Sequence, residues 1–277
     1  MIDGNTQIIA HIGFPTFTFK SPMIYNPYFD QIGENSRVVP MGCKPENYAA
    51  FLRAVFSLEN IRGALITMPH KVVTVGLVDE VTSVVRVAGS CNAVRRGDDG
   101  RLYGDMFDGE GFVRGLKRKG VELKGARVLV VGSGGVGSAI AASLAASGIG
   151  AIHLYDVNEA SVQGLAQRLR DNFPSVKVST GSNDPKGLDV VVNATPMGMN
   201  EGDPLPLDVS RLDASTFVGE VVMKKEMTAF LQAAQAQGCR VQIGTDMLFE
   251  QIPAYLEYFG YPTTTAENLR AVAQLSY

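Results

Sequence analysis

Gly132, Gly134 and Gly137 are the residues whose spacing points most directly to chemistry. They read Gly-x-Gly-x-x-Gly, immediately after the apolar run Val128-Leu129-Val130-Val131 and before a stretch rich in alanine and serine. A second apolar run, from Ala151 to Tyr155, ends at Asp156. This order suits a strand, a tight turn, a helix and a second strand arranged around a dinucleotide. Gly132 permits the turn, Gly134 lets backbone approach a pyrophosphate, and Gly137 lets the helix lie close on its strand. Gly135 and Val136 open the helix, where free N–H groups and the positive end of the helix dipole meet phosphate oxygens. A carboxylate roughly 20 residues downstream accepts from both ribose hydroxyls and repels a 2′-phosphate. Asp156 has that place, and Val157-Asn158-Glu159 after it supply no arginine to hold a phosphate. The expected cofactor is NAD, with NADP disfavoured. A competing role for Asp156 is to cap the helix that follows.

These groups need a scaffold, and 277 residues are enough for two domains. With 45% hydrophobic and 19% charged residues, the chain has the composition of a soluble globular protein. A formal net charge of −3 gives no reason to expect nucleic acid or an anionic membrane as partner. Cys43, Cys91 and Cys239 lie far apart, and His11, His70 and His153 lack metal-ligand spacing, so neither a disulfide framework nor a metal is expected. That usage fits a reducing cytoplasm, and no basic-then-apolar leader is apparent. The uncharged stretch between Arg127 and Asp156 is long enough to span a bilayer. The glycine cluster, Ser138, Ser143, Ser147 and a C-capping Gly148 interrupt it, so a strand, a buried helix and another strand are expected instead.

Short apolar runs alternate with helical periodicity along the chain. Strands are expected at residues 8–13, 38–41 and 63–68, a helix at 45–57, and a hairpin from 90–95 and 102–105 around Gly97-Asp98-Asp99-Gly100. A helix over 109–119 leads to the strand at Arg127. Further helices are expected at 159–172 and 228–237, with strands near Val176 and at 189–193, 216–222 and 240–243. This β–α alternation means an α/β protein with a parallel, doubly wound sheet and right-handed crossovers. Residues 246–273 read as mostly helical.

Upstream of the nucleotide motif lie Lys20-Ser21-Pro22-Met23-Ile24-Tyr25-Asn26, Ile66-Thr67-Met68-Pro69-His70-Lys71, Ala88-Gly89-Ser90-Cys91-Asn92-Ala93-Val94 and Gly104-Asp105-Met106-Phe107-Asp108-Gly109. Downstream is Gly244-Thr245-Asp246-Met247-Leu248-Phe249-Glu250-Gln251. In this order, over essentially the whole chain, these motifs resemble the shikimate dehydrogenase family. The resemblance implies an N-terminal α/β substrate domain (residues 1–108 and 245–277) and a Rossmann domain (109–244), with C-terminal helices returning to the first. It also implies a cleft that binds a hydroxylated cyclohexene carboxylate and a nicotinamide cofactor. By position, Lys71 matches the family's catalytic lysine and Asp108 its catalytic aspartate. Thr67, Asn92 and Gln251 match ligands of substrate hydroxyls, and Ser21 one of two serines that hold the carboxylate. Asn193 and Thr195, in the loop Asn193-Ala194-Thr195-Pro196-Met197-Gly198-Met199, match a segment near the nicotinamide, and Gly244 falls among the cofactor contacts. Removing hydride from a secondary alcohol requires the hydroxyl proton to leave, so a base must touch that oxygen. Without the resemblance, Lys71 reads equally as a solvated helix-start lysine and Asp108 as an N-cap. The 193–199 loop reads equally as a strand-terminating turn.

The departures from the family bear on substrate choice. Phe19-Lys20-Ser21-Pro22 stands where the family has Ser-x-Ser-Pro, Leu65-Ile66-Thr67 where it has Asn-Val-Thr, and Met106-Phe107 where it has Asn-Thr. Met223 replaces a common tyrosine. Shikimate is therefore expected to be a poor substrate unless Thr16 or Thr18 supplies the missing hydroxyl, and an apolar substituent facing Phe19 and Phe107 would suit the altered pocket. The expected function is hydride transfer between NAD(P) and the ring alcohol of shikimate or a related small hydroxylated ring acid. Quinate dehydrogenase and a non-catalytic nucleotide-binding regulator are the alternatives, and oligomeric state is left open.

Overall fold

The computed structural model describes residues 2–17 and 19–275, so Thr18 lies outside the described residues. The chain divides into two compact units. The first takes in the described parts of Met1–Val85, Gly89–Phe107 and Ile252–Tyr277, and the second takes in Arg86–Ala88 and Asp108–Gln251. Each has its own six-stranded sheet.

In the first unit the elements run β1 (Gln7–Gly13), α1 (Pro22–Gln31), β2 (Ser36–Gly42), α2 (Pro45–Val55), β3 (Ile61–Ile66), α3 (Lys71–Thr74), β4 (Glu80–Val81), α4 (Ser83–Ala88), β5 (Ala93–Arg96) and β6 (Leu102–Asp105). Strand order is β2-β1-β3-β5-β6-β4. β1 runs parallel to both neighbours, whereas β5 is antiparallel to β3 and β6. The hairpin forms as expected, closed by Gly97 N–H to the Arg101 carbonyl at 2.9 Å. Two strands depart from their expected bounds. β3 stops at Ile66 because the chain turns at Thr67, whose carbonyl accepts from His70 N–H at 3.0 Å. β5 starts at Ala93 because Cys91 N–H is diverted to the Lys71 carbonyl at 2.8 Å. α1 was not signalled by periodicity; Pro22 opens it, where a missing N–H costs nothing. Asn26 ties this helix to β2, accepting from Val38 N–H at 2.8 Å and donating to the Val38 carbonyl at 3.2 Å.

The second unit holds α5 (Asp108–Arg118), β7 (Arg127–Val131), α6 (Gly135–Ala146), β8 (Ala151–Tyr155), α7 (Glu159–Asn172), β9 (Lys177–Thr180), β10 (Val190–Asn193), β11 (Phe217–Glu220), α8 (Ala229–Ala236) and β12 (Arg240–Gln242). α9 (Gly244–Phe259) and α10 (Ala266–Val272) complete the chain. The sheet is wholly parallel in the order β12-β11-β10-β7-β8-β9. Val128 to Val131 and all of β10 are buried, as strands covered on both faces must be. Chain direction across the sheet reverses between β7 and β10, so the carboxyl ends of these strands flank the crevice where such sheets bind ligands. The apolar stretch from 127 to 156 is β7, α6 and β8, and no helix among the described residues is long and apolar enough to cross a membrane.

α6 lies so close to β7 that a Cβ on Gly137 would collide with the Gly132 carbonyl. Gly132 itself has φ +106° and sits against the Ala194 backbone, a conformation and a space that exclude a side chain. Gly137→Ala is expected to lower stability by about 1–3 kcal/mol in urea denaturation, because backbone rather than a flexible side chain must move. Unchanged stability would contradict this packing.

Candidate active site

The glycine turn of the second unit leaves its helix open. α4, α7, α8 and α10 each carry a side-chain cap, from Thr82, Asn158, Thr228 and Thr265. α6 has Gly134 at its N-cap and no side-chain cap bond. The first N–H groups of a helix lack partners inside it, so this end presents donors to whatever anion arrives. Beside it lies a cavity of about 400 Å³, lined by Gly134, Gly135, Val136, Thr195, Met199, Met223 and Lys224. Gly132 and Gly137 serve the turn and the packing from beneath.

Asp156 directly follows β8 and is half-buried. Its Oδ2 accepts from Ser133 N–H at 2.7 Å and its Oδ1 from Asn158 N–H at 2.9 Å. The cap of α7 is instead Asn158, which accepts from Ser161 N–H at 3.1 Å. Helix capping by Asp156 is thereby ruled out: the carboxylate braces the glycine turn. A second cavity of about 250 Å³ opens beside Asp156, and neither lysine nor arginine lines it.

Asn193 and Thr195 are spent on shaping their own loop. Asn193 Oδ1 accepts from Thr195 N–H at 3.1 Å and Oγ1–H at 2.6 Å, while its Nδ2 donates to the Met197 carbonyl at 3.1 Å. Gly244 is required by packing, since a Cβ there would meet the Val222 carbonyl. Sequence reasoning missed Glu220, at the end of β11. It is fully buried, its Oε2 accepts from Thr228 Oγ1–H at 2.9 Å, and its Oε1 has no partner. Burial pushes its carboxyl up to about 7, against the opposing pull of hydrogen bonds to Thr228 and Asn193. A lone acid in the apolar context Phe217-Val218-Gly219-Glu220-Val221-Val222 was the available signal. Lys224 was also missed; it lines the first cavity and its Nζ lies 3.3 Å from Asn200 Oδ1.

In the first unit, Lys71 opens α3 and is half-buried. The segment before it is firmly held. His70 Nε2 lies 2.8 Å from the Cys43 carbonyl, its ring stacks on Tyr48 at 3.9 Å, and its carbonyl accepts from Thr74 Oγ1–H at 2.8 Å. Asn92 is completely buried; its Oδ1 accepts from Phe107 N–H at 2.9 Å and its carbonyl from Ile66 N–H at 2.8 Å. Thr67 continues the β1 ladder, donating its N–H to the Ile12 carbonyl at 2.9 Å. A Cβ on Gly13 would touch Thr67 and come within 2.9 Å of Phe19 Cζ, so these residues converge at the end of β1. Ser21 sits at the N-cap of α1 without using its hydroxyl to cap it. Burial pushes the Cys91 thiol up to about 12, which keeps a nucleophilic thiolate out of this region.

Three altered positions prove to be buried. Phe107 is 9% exposed and packs edge-on against Tyr255 and Tyr258, and Met106 is 2% exposed. Much of the Phe107 ring is thus taken up by these two tyrosines. Leu65 is likewise buried. Asp108 is the first residue of α5 and 7% exposed, and Gln251, on α9, has a buried Oε1 without a partner.

Residues 12–94 match the shikimate dehydrogenase substrate binding domain, and residues 115–170 match the ThiF family over the glycine turn and its flanking elements. A shikimate dehydrogenase (NADP(+)) of Rubrobacter xylanophilus is 34% identical over 254 residues, covering 90% of this chain and 89% of that protein. The chain belongs to the shikimate dehydrogenase family. Two solved structures are similar throughout. Shikimate 5-dehydrogenase from Listeria monocytogenes, in complex with shikimate and NAD, has a TM-score of 0.92 at 23% identity, covering 98% of this chain and 97% of that one. Quinate dehydrogenase from Corynebacterium glutamicum, in complex with NAD, has a TM-score of 0.84 at 26% identity, covering 96% and 98%. This family member is thus an α/β oxidoreductase with a mixed sheet in one unit and a parallel, Rossmann-type sheet in the other.

The raised pKa of Glu220 has a consequence for stability. Because its folded-state value lies above the ordinary 4.5, the folded protein holds this proton more tightly than the unfolded chain. The stabilisation is complete below about pH 4.5 and is lost as pH rises toward 7. Glu220→Gln keeps an acceptor for Thr228. It is expected to match wild type in urea denaturation at the acid end and to exceed it by on the order of 1 kcal/mol near pH 8. Parallel stability curves would contradict the burial argument.

Proposed function

We propose that this family member interconverts the ring secondary alcohol of shikimate, or of a related hydroxylated ring acid, with the corresponding ketone, using NAD. The observation that carries this reading is the uncapped N-terminus of α6 facing its cavity, with Asp156 bracing the turn. A dinucleotide fits these residues: free backbone donors suit the pyrophosphate, and Asp156 retains acceptor capacity for ribose hydroxyls. When bound, the nicotinamide accepts or returns hydride at the carbinol carbon.

Everything else falls to side chains. Lys71 takes the proton of the substrate hydroxyl as the carbon–oxygen double bond forms, and returns it in the reverse direction. Asp108 is the carboxylate that the family resemblance pairs with this chemistry. Thr67, Asn92 and Gln251 orient ring hydroxyls, and the uncommitted Ser21 hydroxyl meets the carboxylate. The rigid mounting of His70, through Cys43, Tyr48 and Thr74, keeps the Lys71 backbone in place.

The curated relatives bear NADP(+) in their names. Preference for NAD in this chain is inferred from its own residues: Asp156 is present, Val157 after it is exposed, and no cation lines the neighbouring cavity. NAD is expected to exceed NADP by roughly tenfold or more in kcat/KM; a preference for NADP would sink this inference. Lys71→Ala is expected to lower kcat by about 100-fold while the NADH dissociation constant, read by fluorescence titration, stays unchanged. Near-normal turnover would remove lysine from the mechanism.

A further inference from the structure

His11 lies in the middle of β1, within Ile8-Ile9-Ala10-His11-Ile12-Gly13, where an apolar residue is the ordinary choice. Alternation along the strand puts His11 and Gly13 on one face, and the register with β3 places Leu65 beside His11 on that face. Phe19 covers the imidazole, with ring centroids 4.0 Å apart and planes 24° from parallel. The same Phe19 reaches to within 2.9 Å of where a Gly13 Cβ would stand, and Thr67 touches that point too. His11, Phe19 and Thr67 therefore gather at the end of β1, on the Lys71 side of the unit.

Only 6% of His11 is exposed, and its two ring nitrogens differ. Nδ1 is sealed and has no hydrogen-bond partner, whereas Nε2 is not among the sealed, unpartnered atoms. Burial, reinforced by the positive charge of Lys71, brings the imidazole pKa down to about 3, so the ring is neutral at working pH. A neutral imidazole carries one proton. A sealed N–H without an acceptor is rarer than an under-used acceptor, so the proton belongs on Nε2, the nitrogen that retains access.

We propose that His11 is a further substrate-binding residue, whose Nε2–H donates to an acceptor oxygen of the ring acid beside Phe19. The aromatic ring of Phe19 has no hydrogen bond to give there, and the imidazole beneath it supplies the donor. Phe19 holds the imidazole plane by stacking, which makes the pair one unit of specificity. The proposal rests on the reading that this region of the first unit takes the ring acid.

The test is His11→Phe, which keeps an aromatic ring under Phe19 and deletes the donor, set beside His11→Gln, which restores one. In steady-state assays of the full chain with shikimate and NAD, His11→Phe is expected to raise the KM for shikimate by about 10-fold or more. Its kcat should stay within about threefold, its KM for NAD should not move, and His11→Gln should recover part of the loss. A shikimate KM within about twofold of wild type in His11→Phe overturns the proposal and leaves the activity reading standing. If His11→Phe does not fold, ¹⁵N imidazole shifts of the wild-type protein with NADH decide. The expected result is an Nε2-protonated His11 whose Nε2 resonance moves on adding shikimate. An Nδ1-protonated ring, or an unmoved resonance, overturns the proposal. Wild-type protein that neither binds nor oxidises any ring acid overturns it together with the activity reading.

Discussion

The contact between Gly137 and the Gly132 carbonyl is the constraint on which the nucleotide half depends. Only when α6 lies directly on the end of β7 do its first N–H groups point into the crevice between β7 and β10. A side chain at Gly137 would push the helix off the strand, and one at Gly132 would strike the Ala194 backbone in the next loop. Glycine at the N-cap brings no side-chain acceptor, so donors that Thr or Asn satisfy on other helices stay available. Asp156 adds the complementary restraint. By taking the Ser133 N–H, it ties the end of β8 to the glycine turn, so the acid proposed to meet a ribose also shapes that turn.

The second unit was far more legible in the sequence than the first. Its strands are buried on both faces and read as unbroken apolar runs, and glycine punctuates them where sterics demand it. α7 begins and ends at the residues its periodicity indicates. The first unit is harder to read because its mixed sheet bends the backbone for local hydrogen bonds. Cys91 turns aside to the Lys71 carbonyl, and α1 begins at a proline and contains another, which hides its period. Candidate site residues followed the same division. The glycines and Asp156 were accessible from spacing, and Lys71, Asp108, Asn92 and Gln251 only from family resemblance. Glu220 and His11 escaped because one buried polar residue in an apolar strand leaves no periodic trace.

The altered positions around the substrate region also separate physically. Phe107 and Met106 turn inward and fill core beside Tyr255 and Tyr258, so their loss of polarity is a packing change. Phe19 remains half-buried over a neutral histidine, so the change there alters what a ligand would meet. Met223 lines the cavity beside α6 and is 45% exposed, which makes that wall apolar where a phenol would be polar. The departures thus fall partly in the core, at Leu65, Met106 and Phe107, and partly at accessible positions, at Phe19 and Met223, while Lys71 and Asp108 are kept.

The central claim is that this chain moves hydride between a ring carbinol and a nicotinamide. The most direct measurement uses shikimate carrying deuterium at the carbinol carbon, incubated with the protein and NAD, followed by mass and NMR analysis of the reduced cofactor. The expected result is one deuterium at C4 of the nicotinamide, on a single face, with none lost to solvent. Reduced cofactor without deuterium, or no reduction under conditions where both ligands bind, would contradict the account.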